Sequence, residues 1–126
     1  MISVILVLLF AHFFADFVVQ PEKLADNKWY SNKALGIHVL LYTASLFLIS
    51  WLFLVTVPDL FLWSALLIWS IVNGMFHFIV DYATSRDMKM YRDEKDYRMF
   101  FIMLGFDQMV HYAVLAVTYS ILITLL

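Results

Sequence analysis

Residues 61–81 read FLWSALLIWSIVNGMFHFIVD, an apolar run in which Asn73, His77 and Asp81 are the strongly polar side chains. At a rise of 1.5 Å per residue, a run of this length crosses a hydrocarbon core of ~30 Å. The three polar residues are spaced i, i+4 and i+8, so they share one face of a helix. The stretch therefore predicts a transmembrane helix with one polar stripe on an otherwise apolar surface.

The composition of the whole chain also indicates that lipid is its solvent. The 126 residues are 64% hydrophobic and only 14% charged, and the mean hydropathy is +0.87. A soluble domain is nearer half apolar, and no small soluble core would bury this surplus. The absence of cysteine excludes disulfides, thiolate metal sites and cysteine nucleophiles. We predict a single domain over residues 1–126 whose partner is the lipid bilayer, and no nucleic-acid partner.

Four apolar stretches predict four transmembrane helices: residues 2–19, 35–57, 61–80 and 100–126. The links that join them are residues 20–34, 58–60 and 81–99. All eight basic residues lie in the first and third links, which face the same side in a four-span protein. The positive-inside rule places both links in the cytoplasm, and both termini and the Pro58 turn outside. The predicted fold is an all-α, up-down four-helix membrane bundle.

The two basic links are predicted to lie against the membrane surface. Pro21 suits the first position of a short interfacial helix, and Trp29 and Tyr30 suit the headgroup level. In the third link, mixed charges with Tyr91 and Tyr97 indicate an amphipathic segment. A solvated loop explains each link about equally well.

Each predicted span contains a histidine, and three of the four histidines have an aspartate four residues away. The seven residues are His12 and Asp16, His38, His77 and Asp81, and Asp107 and His111. Counting along the helices places them within ~6–16 Å of the cytoplasmic edge. An Asp at a helix centre costs ~2.5–3.5 kcal/mol on insertion scales, so such groups indicate a functional site. We therefore predict that all seven meet in one pocket open to the cytoplasm.

The leading interpretation of this cluster is a metal site. A His and a carboxylate four residues apart project from one helix face and can share a cation, as in helical H-E-x-x-H motifs. The cofactor would be a divalent metal, with Zn²⁺ or Mn²⁺ favoured and Fe²⁺ as a third option. Seven candidate ligands could hold one ion, with the remaining residues hydrogen-bonded to its ligands, or could hold two ions. The main ligands are predicted to be His12, Asp16, His77, Asp81 and His111.

The remaining site residues have predicted roles in a hydrolytic reaction. Asp107 would be a ligand or the general base, and His38 a ligand or a donor to one. Gln20 and Gln108 would orient water or substrate. A metal lowers the pKa of its bound water to near 7 and so makes a hydroxide nucleophile. The location in the membrane suggests a lipid-linked or phosphorylated small substrate.

Basic residues just past the cytoplasmic edge are candidates for binding the substrate's anionic group. Lys23 and Arg86 occupy such positions. Contact with lipid headgroups is the simpler explanation for both.

Two other functions and a purely structural role remain open. The same groups could relay protons or cations. Between Thr43 and Asn73, however, the polar residues of the outer half are only Ser, Thr and Asp59, whereas a conduction path should reach both faces. The chain could also be a non-catalytic interaction module whose links recruit a partner. Interhelical hydrogen bonds, worth ~0.6 kcal/mol each, could simply hold the helices together. The oligomeric state stays open.

The three glycines, Gly36, Gly74 and Gly105, each lie two or three residues before a polar residue of a span. Close backbone approach around a pocket would explain this placement. Ordinary helix packing through small residues explains it about as well.

The order and spacing of these motifs resemble one family. The pattern is H-x-x-x-D-F-x-x-Q from His12, Asn27-Lys28, His38 with Tyr42, H-x-x-x-D from His77, and D-Q-x-x-H from Asp107. Over nearly the whole chain it resembles the small bacterial and phage membrane proteins grouped as domain of unknown function 3307. The resemblance implies four membrane helices in a multi-pass protein of the bacterial inner (cytoplasmic) membrane, and no established activity. A looser similarity to membrane-bound metal-dependent hydrolases rests on His and Asp at helical spacing, without their His-Ser dipeptide.

Overall fold

The computed structural model describes residues 2–54 and 60–126, and these residues form helices and short turns with no strand. In chain order the elements are α1 (Ile2–Phe13), a π turn (Phe14–Val18), α2 (Glu22–Asn27), α3 (Asn32–Leu54), α4 (Leu60–Asp93) and α5 (Tyr97–Leu125). The all-α prediction is confirmed. The predicted turn at Pro58 lies outside the described residues.

Three helices are long and apolar enough to span a membrane. These spans are Asn32–Phe53, Leu62–Asp93 and Tyr97–Leu125, and the apolar stretch Val4–Val18 is shorter. Large apolar side chains such as Leu40 and Leu52 are about 70% exposed, at 71% and 68%, whereas many buried side chains are polar or charged. This distribution is the reverse of that in a soluble protein. Lipid as solvent explains it, because the apolar surface faces the acyl chains and the polar groups pair inside the protein. The chain is a membrane protein.

The third predicted link is mostly helix, so the prediction of a link over residues 81–99 is wrong. α4 continues without a break through Asp93, and only residues 94–96 separate it from α5. The charges indicated an aqueous segment, but residues 81–93 contain no proline or glycine to stop a helix. At 34 residues, α4 is ~51 Å long, so its charged end extends past a ~30 Å hydrocarbon core.

A tight turn reverses the chain between α4 and α5. Lys95 adopts a φ of 60°. The N–H of Asp96 donates to the carbonyl of Tyr91, and the N–H of Lys95 donates to that of Arg92. These two bonds are the Schellman pattern that ends a helix. The Asp96 carboxylate then caps α5 by accepting the N–H of Met99 at 3.0 Å.

The first link contains the predicted short helix, α2. Pro21 is the N-cap residue of this helix, whereas the sequence analysis placed it at the first helical position. Residues 19–31 are called the α2 link below. Two contacts join the end of this link to the charged end of α4: Trp29 with the Arg92 guanidinium and Tyr30 with the Lys89 ammonium. A third contact, from the Asn32 side-chain oxygen at the start of α3 to Arg86, lies beside them. The α2 link is therefore held against α4.

α3 and α4 approach closely at one glycine. A Cβ on Gly74 would overlap Oγ1 of Thr43 and lie 3.3 Å from the Cβ of Thr43. At Gly36 and Gly105 a Cβ would meet none of the described atoms within 4 Å. Close approach of the Thr43 side chain to the helix backbone therefore explains Gly74, and close approach does not explain Gly36 or Gly105. The contact at Gly74 lies one turn from His77, so it sets the distance between the histidines of α3 and α4.

Candidate functional site

Seven ionisable side chains meet inside the helices, and none of them is more than 4% exposed. They are His12, Asp16, His38, His77, Asp81, Asp107 and His111. α1 with its π turn, α4 and α5 each contribute a His and an Asp four residues apart, and α3 contributes His38. The structure thus brings together all the residues predicted to be metal ligands, and their role as ligands stays a prediction.

Two imidazoles and two carboxylates form the four-ligand group, which consists of Asp16, His38, His77 and Asp81. The Nε2 atoms of His38 and His77 lie 2.9 Å apart. Oδ1 of Asp16 lies 3.2 Å and 3.4 Å from these two nitrogens. Oδ2 of Asp81 lies 3.5 Å and 3.6 Å from them. Each residue therefore points one ligand atom at a common centre.

The carboxylate–imidazole distances within the four-ligand group, 3.2–3.6 Å, are close to those in the shell of a small cation. Nitrogen and oxygen ligands bind Zn²⁺ at ~2.0–2.2 Å, which places tetrahedral neighbours ~3.3–3.6 Å apart. Charge-assisted hydrogen bonds would draw paired atoms to ~2.7–2.9 Å. Within the group only the nitrogens of His38 and His77 are that close. The carboxylate–imidazole distances therefore fit a shared cation better than they fit mutual hydrogen bonds, whereas the two imidazole nitrogens are at hydrogen-bond distance.

Asp16 reaches the group from an irregular part of the first helix. It lies in the π turn Phe14–Val18, and the N–H of Val19 donates to the carbonyl of Phe14. A π turn adds a residue to one helical turn and is frequent at functional sites. The i, i+4 spacing of His12 and Asp16 predicted their shared face but carried no signal for the π turn.

A second set, the three-ligand group, consists of Asp81, Asp107 and His111. Its members contribute atoms within 4.8 Å of one another. Nε2 of His111 lies 3.6 Å from Oδ1 of Asp81, and its Nδ1 lies 3.4 Å from Oδ2 of Asp107. Oδ1 of Asp107 accepts a hydrogen bond from the Thr84 hydroxyl at 2.5 Å. Thr84 was missed by the sequence analysis because its stretch was taken for a link.

Gln108 ties the two groups to His12. Its Nε2 donates to Oδ2 of Asp16 at 3.0 Å and to Oδ2 of Asp107 at 3.1 Å. Its Oε1 lies 3.1 Å from Nε2 of His12, whose Nδ1 lies 3.0 Å from the Tyr42 hydroxyl. A single tautomer satisfies both contacts, with Nε2–H donating and Nδ1 accepting. His12 is thus engaged by protein partners and lies outside both ligand groups.

Gln20, Asn73 and Arg86, which the sequence analysis also selected, form no hydrogen bond with either group in the described part of the chain. Oε1 of Gln20 is buried and has no hydrogen-bond partner in the described part of the chain. The Asn73 side chain donates to the Thr118 hydroxyl at 3.0 Å. Arg86, a candidate for binding an anion, donates to Asn32 at 2.7 Å. The role of Gln20 with water or substrate therefore stays a prediction.

Lys28 is a site residue to which the sequence analysis gave no role. Its Nζ donates to Oδ2 of Asp81 at 2.9 Å, and its side chain is only 13% exposed. Burial alone would lower the pKa of Lys28, but the carboxylates of Asp81 and Asp16 raise this pKa above its usual value. The ammonium therefore stays charged at neutral pH. The Asn27-Lys28 pair of the family pattern was the available signal, because periodicity says nothing about a residue in a link.

Lys28→Met is expected to destabilise the metal-free protein by up to ~3 kcal/mol, since it leaves a buried carboxylate without its cation. Because folding raises the pKa of Lys28, this contribution is present at neutral pH and is lost only at alkaline pH above the raised value. Thermal unfolding in detergent with a chelator at pH 7 measures the effect. Lys23→Met, at an exposed position of the same link, is the control. Equal melting temperatures for both variants would contradict the prediction.

Comparison with known proteins gave one match. A family model described as "Protein of unknown function (DUF3307)" matches residues 4–126, which include every residue of both ligand groups. No curated protein and no solved structure matches the chain significantly.

Proposed function

The chain belongs to the DUF3307 family, and we propose that it is a metal-dependent hydrolase whose active site lies within the membrane. The observation that supports this most directly is the four-ligand group, in which two imidazole nitrogens and two carboxylate oxygens converge. The family has no assigned activity, so the proposal rests on this geometry and on the chemistry of the residues around it.

The charges of the site call for a divalent cation. Asp16, Asp81 and Asp107 are buried, and the Lys28 ammonium contacts Asp81. When all four imidazoles are neutral, as metal ligands require, three carboxylates and one ammonium leave two negative charges uncompensated. An uncompensated buried charge costs several kcal/mol, and one divalent cation in the four-ligand group removes this cost. Imidazole and carboxylate ligands without thiolate favour Zn²⁺ or Mn²⁺.

The neighbouring residues are suited to proton transfer. The cation would supply a bound water that ionises near neutral pH. Asp107 and His111 lie beside the four-ligand group and can accept the proton of such a water. Thr84 and Gln108 each donate a hydrogen bond to Asp107, so its carboxylate is held in place. This assigns the general base to the pair of Asp107 and His111.

The proposed membrane arrangement is a four-helix bundle in which α1 and its π turn form the fourth span. Ile2–Val18 is ~26 Å long as a helix, close to the thickness of a thin bilayer. The positive-inside rule then places the α2 link and the α4–α5 turn in the cytoplasm, and both termini outside. We propose the inner membrane of a bacterium as the location, with substrate entering from the cytoplasm.

Lys28 points to the chemistry of the substrate. It covers Asp81 from the α2 link, so a substrate that enters past this link meets its ammonium first. An ammonium binds phosphate oxygens well. A phosphorylated or lipid-linked small molecule therefore suits the site.

A proton or cation relay is the second candidate, because polar contacts continue outward from His77. The Asn73 side chain and the Trp69 indole both donate to the Thr118 hydroxyl at 3.0 Å. Ser70, on the same helix, is fully buried. The interior of the outer half is therefore more polar than the sequence suggested. The Ser70 hydroxyl, however, donates its hydrogen bond to the carbonyl of Leu66 in the same helix.

Metal analysis combined with a hydrolysis assay tests the proposal. The protein is purified in detergent without chelator, its metal content is measured by mass spectrometry, and p-nitrophenyl phosphate and phosphatidic acid are offered as substrates. We expect stoichiometric Zn²⁺ or Mn²⁺, and hydrolysis that EDTA abolishes and added metal restores. A folded wild type that binds no metal would discard the proposal. Proton or Mn²⁺ flux in proteoliposomes without hydrolysis would favour the relay.

A further inference from the structure

Asp81 belongs to both ligand groups and offers a different oxygen to each. Its Oδ2 faces the nitrogens of His38 and His77 at 3.5 and 3.6 Å. Its Oδ1 faces Nε2 of His111 at 3.6 Å. Lys28 contacts Oδ2, which leaves Oδ1 free of any cationic partner from the described links. A carboxylate in this position can bridge two metal ions.

His111 is the second, independent observation. Its side chain is 3% exposed, and neither of its ring nitrogens has a hydrogen-bond partner among the described residues. An imidazole buried without a partner for either nitrogen pays the full cost of losing water. Its Nδ1 lies 3.4 Å from Oδ2 of Asp107 and its Nε2 lies 3.6 Å from Oδ1 of Asp81. One ligand atom from each of the three residues lies within 4.8 Å of the other two, a spacing that accommodates one cation.

We propose that this centre is binuclear, with a second divalent ion held by Asp81, Asp107 and His111 and with Asp81 as the bridge. In this centre Asp107 and His111 act as ligands instead of as the general base of the single-ion site. The inference rests on the proposed function, because the first ion occupies the four-ligand group. Three protein ligands leave the second ion an open position, as in catalytic metal sites. Two ions that share a bridging carboxylate clamp the attacking and leaving oxygens of phosphoryl hydrolysis.

The charge of the two-ion state identifies the class of ligand. With one divalent ion, the three carboxylates and the Lys28 ammonium are neutralised. A second divalent ion gives the buried centre two positive charges, which an oxyanion would compensate. The binuclear centre therefore binds a phosphate group, and the substrate class is a phosphate ester.

Manganese loading separates the one-ion and two-ion centres. The protein in detergent is stripped of bound metal, loaded with Mn²⁺ and desalted. Its manganese content and its electron paramagnetic resonance spectrum are then recorded. We expect two Mn²⁺ per chain with a spin-coupled spectrum for the wild type. His111→Ala should hold one Mn²⁺ with an uncoupled six-line spectrum. The matched control is His12→Ala, which removes an equally buried imidazole outside both groups and should keep two.

Phosphate binding gives a readout besides metal content. Inorganic phosphate, titrated calorimetrically into the Mn²⁺-loaded protein, should bind to the wild type and to His12→Ala, and its affinity should fall at least tenfold in His111→Ala. Asp107→Asn, which keeps the size of the side chain, serves as the second variant if His111→Ala does not fold. It should likewise hold one Mn²⁺.

The outcomes distinguish the two proposals. One Mn²⁺ in the wild type, retained in His111→Ala and Asp107→Asn, would overturn the binuclear centre and leave the single-ion hydrolase standing. Loss of one ion from His12→Ala rather than from His111→Ala would also overturn it. No Mn²⁺, Zn²⁺ or Fe²⁺ in a folded wild type would remove the proposed function together with this inference.

Discussion

His77→Ala is expected to empty the four-ligand group and to reduce hydrolysis about 10³-fold. Its Nε2 lies between the ligand atoms of His38, Asp16 and Asp81, at 2.9, 3.4 and 3.6 Å. A catalytic ion contributes several kcal/mol to the transition state, and each 1.36 kcal/mol corresponds to a factor of ten in rate. Metal content and the rate of p-nitrophenyl phosphate hydrolysis, measured on the same preparation, check the result.

His12→Ala is the matched control for this substitution. Both imidazoles are buried, at 0% and 1% exposure, so the two variants leave cavities of the same size. Both nitrogens of His12 contact protein partners, so the metal content of His12→Ala should equal that of the wild type. Equal loss of metal in both variants would show that His12 is a ligand after all. Unchanged metal content and unchanged hydrolysis in His77→Ala would show that the four-ligand group is not the catalytic metal site.

Gly74→Ala is expected to destabilise the protein by about 1–2 kcal/mol and to weaken metal binding at least tenfold. The new methyl group would overlap the Thr43 side chain, and overpacking costs ~1–3 kcal/mol, offset in part by ~0.5–1 kcal/mol of improved helix propensity. Relief of the overlap moves α3 away from α4. This displacement separates His38 from His77 and loosens the four-ligand group. Thermal unfolding and Zn²⁺ titration in detergent measure the two effects.

The chain supplies its own controls for the glycine prediction. Gly36→Ala and Gly105→Ala add the same methyl group in helices where it meets no described atom within 4 Å. They should raise the stability slightly through helix propensity. The double variant Thr43→Ala/Gly74→Ala removes the overlapping hydroxyl and should recover most of the lost stability and metal affinity. A Gly74→Ala variant as stable as the two control variants would show that the helices are not in close contact at this position.

The amino-acid sequence by itself determined the properties that depend on local spacing and on composition. An apolar surplus has to face lipid, and His and Asp four residues apart share a helix face whatever packs against it. The helices α3 and α5 and the polar stripes of α1, α4 and α5 followed from these two rules. The extent of α4 did not follow from them. The charges of residues 81–93 indicated an aqueous link, although these residues contain nothing that stops a helix.

Only the tertiary structure decided which atoms meet. Periodicity sets the direction of a side chain around its own helix axis, but it leaves open the rotation and height of that helix relative to its neighbours. The two groups that share Asp81, the position of His12 outside both of them, and the contact of Lys28 with a carboxylate 53 residues away all depend on those relations. Long-range packing such as the Gly74–Thr43 approach determines them, and no local pattern encodes it.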